Sequence, residues 1–117
     1  MGYRIYPCKV YRVERDFDKG GYFNHLSEQV NRMFKEECED TSWNGNDSIE
    51  YADMVFVQKN ELAKLIGRFA DEDDGAALIE KYGIPKDYYT PMDIVKILAD
   101  MLAAADNAND FVAFAWH

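Results

Sequence analysis

The sequence is poor in the residues and spacings that mark the common catalytic and metal-binding sites. It contains two cysteines and two histidines among 117 residues, with no close pair such as C-x-x-C. A closed zinc site would need all four of these side chains as ligands. Glycine-rich phosphate-binding spacings are also missing, since neither "DKGGYF" nor "SWNGND" matches them. We therefore expect no metal, no cofactor and no catalytic residues, and the sequence predicts a protein that is not an enzyme.

Long apolar runs are missing as well. No segment approaches the roughly 18 apolar residues of a membrane-spanning helix. The start "MGYRIYPCKV" lacks the apolar region of a signal peptide. Two cysteines give no disulfide framework, so Cys8 and Cys38 are expected to be buried thiols. These features predict a cytoplasmic protein that makes no use of a membrane.

Positive charge is scarce and unevenly placed. The chain has 22 Asp/Glu and 13 Lys/Arg, for a net charge of −9. Seven of the 13 basic residues but only four of the 22 acids lie in residues 1–35, so the acidic excess lies in residues 36–117. Direct nucleic-acid binding is disfavoured, because phosphate contacts need clustered Lys and Arg. An acidic surface instead attracts basic surfaces of other proteins.

What the chain does have is enough apolar material for one folded domain spanning residues 1–117, with 48% hydrophobic residues. Three segments are typical of strands: "YRIYPCKVYRV" at residues 3–13, "IEYADMVFVQ" at 49–58 and "FVAFAWH" at 111–117. The sequence predicts an α+β fold, with a small sheet of about three strands, N-terminal, central and C-terminal, packed with three to four helices. The first and last strands are expected to be neighbours.

The helices are predicted from apolar residues at three- and four-residue spacing. They cover residues 23–38, 59–70 and 90–106, and a shorter helix runs from Asp71 or Asp73 to Tyr82.

Capping residues predict where these helices begin and end. Asn24 and Asn60 are the expected N-caps of the first two helices. Gly83 marks the end of the third helix. The segment Thr90–Asp93 predicts a capping box with proline at the first helical position of the fourth.

Four consecutive acids, Asp71–Asp74, stand at the start of the third predicted helix. A calcium loop starting at Asp71 would place Gly75 and Tyr82 at its fifth and twelfth positions, where ligands are required, so this site is excluded. Acids at a helix N-terminus complement the helix dipole, but one or two are sufficient and the others repel one another. Two interpretations stay open: a solvated helix start, or carboxylates that stand in for nucleic-acid phosphates.

A second acidic segment lies at residues 36–53, with seven Asp/Glu, no Lys or Arg, and two aromatic residues, Trp43 and Tyr51. Acids interleaved with aromatics are a reasonable composition for a protein-binding face. Trp43 is either an exposed anchor or a side chain folded back over the helix end. The residues expected to contact a partner are Glu36, Glu37, Glu39, Asp40, Trp43, Asp71, Asp73 and Asp74.

These features favour an acidic protein-binding module. Its most concrete form is an inhibitor that mimics phosphates and so occupies a basic nucleic-acid-binding protein. In size and acidity the chain resembles the small inhibitors carried by phages and mobile elements, a resemblance of composition that involves no particular residue.

Two other functions stay open. The aromatic-rich ends, "YRIYPCKVY" and "FVAFAWH", fit an adaptor or regulatory module with an apolar-aromatic surface, including a homodimer, if one small core does not hold them all. In a small enzyme, Asp87, Tyr88 and Tyr89 at the entrance to the last helix would be the candidate groups.

Overall fold

The computed structural model describes residues 5–9, 14–15, 23 and 25–116, and in the first two ranges only the side chain of Ile5. The described strands are β1 (Ile5–Lys9), β2 (Glu14–Arg15), β3 (Ser42–Asn44), β4 (Met54–Gln58) and β5 (Phe111–Trp116). The helices are α1 (Ser27–Glu37), α2 (Lys59–Ala70), α3 (Glu72–Tyr82) and α4 (Pro91–Ala104), with a 3-10 turn at Ile49–Tyr51. The predicted α+β class is confirmed.

The strands form an antiparallel sheet in the order β2–β1–β5–β4–β3. Its three central strands are the N-terminal, C-terminal and central strands predicted from the sequence. The first and last strands are neighbours, as expected, with Ile5 opposite Trp116. The short strand β3 was not predicted; it pairs with β4 and places Trp43 opposite Val55.

The helices cover one face of the sheet. Val55 and Val57 of β4 are buried on this face, together with their cross-strand partners Phe114 and Val112. Phe34 of α1 stacks on Phe114 with ring centroids 4.8 Å apart. The other residues of β4 are half-buried on its opposite face, where Ala113 and Ala115 of β5 are buried beside them. The helix-covered face of β4 is therefore fully packed, and its other face is partly exposed.

The one polar side chain without solvent exposure in the described core is Asn31 of α1. Its amide nitrogen donates to the carbonyl oxygen of Ile49 at 2.9 Å, and its amide oxygen accepts from the indole nitrogen of Trp116 at 2.7 Å. Because burying an amide without partners is costly, these bonds fix α1 against the 3-10 turn and the end of β5.

Two helix starts differ from the prediction. α1 begins at Ser27 rather than at residue 23, because Phe23 and His25 have φ angles of 56° and 61°, outside the right-handed helical region. The expected cap Asn24 lies outside the described residues. α2 begins at Lys59, directly after β4, so Asn60 is inside the helix rather than at its cap.

The boundaries of α3 and α4 follow the prediction. The Asp71 carboxylate accepts from the backbone nitrogens of Asp73 and Asp74, at 3.0 and 3.2 Å. Gly83 ends α3 in the left-handed conformation, with φ 70°. The capping box at the start of α4 is present, with Thr90 and Asp93 bonding each other's backbone nitrogens through their side chains.

Candidate protein-binding surface

Glu37, at the end of α1, is the predicted contact residue whose carboxylate turns inwards. Its side chain is only 8% exposed. It accepts hydrogen bonds from Arg68 of α2 and from Lys81 and the Tyr82 hydroxyl of α3, the Lys81 bond being 2.9 Å long. This carboxylate therefore joins the C-terminal ends of three helices, and its oxygens are occupied within the chain.

The pKa values of this cluster reflect the same contacts. Burial alone would raise the pKa of Glu37, but hydrogen bonds from Tyr82, Arg68 and Lys81 lower it to about 2. Burial, followed by the hydrogen bond to the Glu37 carboxylate, raises the pKa of Tyr82 above its usual value. At neutral pH the cluster is thus a charged Glu37 held by two cations and a neutral tyrosine.

The other predicted acids around the end of α1 face solvent. Glu36 is half-exposed and lies 3.9 Å from Arg32, one helical turn earlier. Glu39 and Asp40 are exposed, and no described cation pairs with either of them. The backbone nitrogen of Glu39 donates to Glu61 of α2 at 3.0 Å, which attaches this turn to the second helix.

The acidic run Asp71–Asp74 divides between three roles. Asp71 caps α3, as described above. Asp74 lies near Arg68, whose pKa is raised first by the hydrogen bond to Glu37 and further by the Asp74 charge. Glu72 and Asp73 are exposed, and neither takes part in an ion pair with another described residue. Asp71 thus stabilises the helix, whereas the negative charges of Glu72 and Asp73 are not paired with a described cation.

Trp43 is half-buried on β3 and packs against the main core. The ammonium nitrogen of Lys35 lies 5.5 Å from its ring centroid, within the range of a cation–π interaction. The indole is therefore partly folded against the chain while part of its surface remains accessible.

The structure brings the two acidic segments together around Arg68. This arginine bonds Glu37 at the end of α1 and lies near Asp74 at the start of α3. Basic residues of the chain are interspersed there, with Lys64 bonding Glu61 at 2.9 Å. The resulting surface carries both positive and negative charges close to Arg68. It is acidic at its margins, where Glu39, Asp40 and Asp73 lie exposed.

A groove beside α3 was not predicted from the sequence. It encloses about 520 Å³ and is lined mainly by Ala76, Ile79, Gly83, Ile84, Tyr89 and Pro91. We call it the α3 groove. Glu80, Lys86 and Thr90 contribute the rest of the lining. Sequence reasoning noted Tyr89 but could not place it against α3, because the groove depends on how the 83–91 segment folds back on the helix.

Within the described part of the chain, no three His, Cys, Asp or Glu side chains converge as metal ligands. Cys38 is a buried free thiol, as expected, and burial followed by the charges of Glu61 and Glu37 raises its pKa to about 12. The side chain of Cys8 lies outside the described residues. None of the described helices is long and apolar enough to cross a membrane.

A scan against protein-family models, a search of curated proteins and a search of solved structures each found no match to this chain.

Proposed function

We propose that the protein is a non-enzymatic binding module whose acidic surface docks on a basic surface of another protein. In its most concrete form it is an inhibitor that occupies the nucleic-acid-binding surface of that partner. The observation that carries the proposal is the set of exposed carboxylates, Glu39, Asp40 and Asp73, that form no ion pair with a described cation of the chain, although the charge of Lys64 lies near that of Glu39.

The physical argument concerns the electrostatic repulsion between exposed carboxylates of the chain. Like charges on neighbouring turns repel one another, and this repulsion is relieved when a cationic surface approaches. Successive phosphates along one nucleic-acid strand are spaced by roughly 6–7 Å, in keeping with the charge density of the duplex. Glu39 and Asp40 lie in the turn after α1 and Asp73 lies at the start of α3, so the fold, not a helical repeat, sets the spacing of these carboxylates. A groove that binds phosphates therefore suits such a surface.

For two of the residues predicted to contact a partner, the structure indicates a different role. Glu37 is excluded from the contact set, because its oxygens are bonded to Arg68, Lys81 and Tyr82. Asp71 serves as the cap of α3 and contributes charge without being free to move. Glu36, Glu39, Asp40, Asp73 and Asp74 remain as the charged contacts, with the exposed part of Trp43 beside them.

The test is co-purification of partner proteins from the native host with a charge-reversed variant. The variant carries Glu39→Lys, Asp40→Lys, Asp73→Lys and Asp74→Lys, which spares both Glu37 and the Asp71 cap. We expect it to lose the partner that the wild type retains at low salt. The matched control carries Glu28→Lys, Asp47→Lys, Asp100→Lys and Asp110→Lys, which change the net charge equally at other exposed positions.

The control is expected to retain the partner. Loss of the partner by both variants would indicate a dependence on net charge alone, and retention by both would reject the proposal. Circular dichroism and thermal melting of each variant establish that the fold is intact.

The alternative function, a homodimer or adaptor with an apolar-aromatic surface, has one specific observation in its favour. Met54 and Phe56 lie half-buried on the face of β4 opposite the helices, and Phe111 meets Phe56 edge to face at 5.7 Å. The C-terminal segment that suggested this alternative is itself largely buried, from Val112 to Trp116, and so contributes little apolar surface. Light scattering over a concentration series tests it, a salt-independent dimer being the supporting result.

A further inference from the structure

The α3 groove has the size and lining of a binding site for a side chain. Its volume of about 520 Å³ exceeds that of any single residue, and its walls are mainly aliphatic and aromatic. One wall is formed by α3 and its C-terminal end, through the exposed Ala76, the buried Ile79 and Gly83. The other is the segment that returns to α4, through Ile84, Tyr89 and Pro91.

Both walls are held in place by bonds within the chain. The backbone nitrogen of Ile84 donates to Ile79 at 3.0 Å, and that of Tyr89 donates to Pro85 at 3.0 Å. The ring of Tyr89 packs on Phe23 with centroids 5.4 Å apart. The groove is therefore preformed, and an occupant would not have to order its walls.

Charge is distributed unequally around this groove. On an α-helix, positions four and eight residues apart share a face, so Glu72, Ala76 and Glu80 form one line along α3. Asp73 lies beside Glu72, and all three acids are exposed without a described ion-pair partner. Lys86 is the cation that lines the groove, on the opposite wall, with the exposed Asp87 as its chain neighbour.

The spacing of the acids along α3 indicates what kind of peptide segment would fit the groove. Glu72 and Glu80 are eight residues apart, or about 12 Å along the helix axis. An extended chain covers that distance in about four residues. An apolar side chain seated in the groove would place one basic residue beside Glu80 and another, three or four residues away, beside Glu72 and Asp73.

We propose that the α3 groove is the docking site for a segment of the partner protein in which one large apolar side chain is flanked by Lys or Arg residues. The apolar side chain fills the groove, and the cations lie along the Glu72–Glu80 line. This inference rests on the proposed function and extends its contact set to Glu72 and Glu80, since only Asp73 is common to both. It adds an apolar anchor, which phosphate mimicry alone does not require.

The test uses a defined probe, a fluorescent nine-residue peptide with Leu at position 5 and Arg at positions 2 and 6, so that the two Arg residues flank the Leu and lie four residues apart. Two matched peptides replace the Leu by Gly or both Arg by Gln. Fluorescence anisotropy at low salt measures affinity, and amide chemical shifts of the isotope-labelled protein locate the peptide. We expect the Gly peptide to bind more weakly by about tenfold or more, since burying one Leu side chain has that value. We expect the Gln peptide to bind about threefold to tenfold more weakly, since two exposed ion pairs are lost.

Two protein variants separate the groove from the rest of the surface. Ala76→Phe fills the groove, and we expect it to weaken binding of the Leu–Arg peptide by about tenfold or more. Ala77→Phe adds the same ring at the next exposed position of α3, about 100° around the helix, and is expected to leave affinity within about twofold. The chemical-shift changes should centre on Ile79, Gly83 and Ile84.

Each contrary outcome has a distinct meaning. Arg-dependent binding that shifts Glu39, Asp40 and Trp43 and is indifferent to Ala76→Phe would overturn the groove inference and leave the acidic binding function standing. Equal binding of the Gln peptide in the groove would overturn the proposed charge match. No binding of any Arg-containing peptide at low salt would count against both the groove inference and the proposed function.

Discussion

At the scale of single residues, the structure distinguishes acids that look alike in the sequence. Glu36 and Glu37 are neighbours on α1, yet Glu36 is half-exposed and Glu37 is enclosed by groups from α2 and α3. The partners of Glu37 lie 31 to 45 residues further along the chain. No local pattern could have identified it as internal, because its environment depends on how three helices pack.

The first prediction concerns the contribution of Glu37 to stability. Because its pKa is lowered from 4.5 to about 2 on folding, its contribution is fully present above about pH 4.5 and is lost as the pH falls towards 2. We expect Glu37→Gln to reduce the free energy of unfolding at pH 7 by about 2 kcal/mol, the usual size for charged hydrogen bonds. Urea denaturation at pH 7 and at acidic pH measures both quantities.

Glu36→Gln is the matched control, since it makes the same change one position earlier on a largely exposed ion pair. Its effect should stay within about 0.5 kcal/mol. In Glu37→Gln the loss of stability between pH 4.5 and 2 should be smaller than in the wild type. Equal effects of the two substitutions would show that the Glu37 cluster does not hold the helices together.

At the scale of secondary-structure elements, the sequence alone predicts those helix ends that are set by residues close together in the chain. The Asp71 cap, the Gly83 C-terminus and the Thr90–Asp93 capping box all involve residues within a few positions of one another. The last two were predicted, and Asp71 was one of two predicted starts of α3, the other being Asp73. The start of α2 was misplaced because β4 runs directly into the helix, so no side-chain cap is used. The approach of α4 to α3 at Gly75 could not be read from the sequence, since it depends on tertiary packing.

The second prediction concerns that approach. A Cβ atom on Gly75 would lie 2.7 Å from the Cβ of Pro91 and 2.8 Å from the carbonyl oxygen of Phe69. We expect Gly75→Ala to destabilise the protein by about 1–3 kcal/mol through overpacking, despite the higher helix propensity of alanine. Thermal and urea denaturation measure the change.

Gly67 in α2 provides the matched control, because a Cβ atom there would meet nothing within 4 Å. Gly67→Ala should stabilise the protein by about 0.5–1 kcal/mol through helix propensity. A stabilising effect at both positions would contradict the close contact between α3 and the start of α4. Since Pro91 also lines the α3 groove, Gly75→Ala is expected to alter the shape of that groove as well.

At the scale of the whole molecule, composition and hydrophobic spacing were enough to predict an α+β domain and the pairing of its first and last strands. The short edge strand β3 was missed, because its three residues carry turn-forming neighbours on both sides. The acidic excess was evident from the sequence, but its division into bonded and free carboxylates was not. That division depends on where Arg68, Lys64 and Lys81 lie in the folded chain.

The central claim is that free surface carboxylates of the folded protein attract a basic partner. The most direct measurement is the dissociation constant for the partner recovered by co-purification, determined by calorimetry at about 50 and about 500 mM NaCl. Because screening weakens attraction between exposed charges, we predict that affinity falls by about tenfold or more over this range. An affinity that is unchanged by salt would contradict the claim.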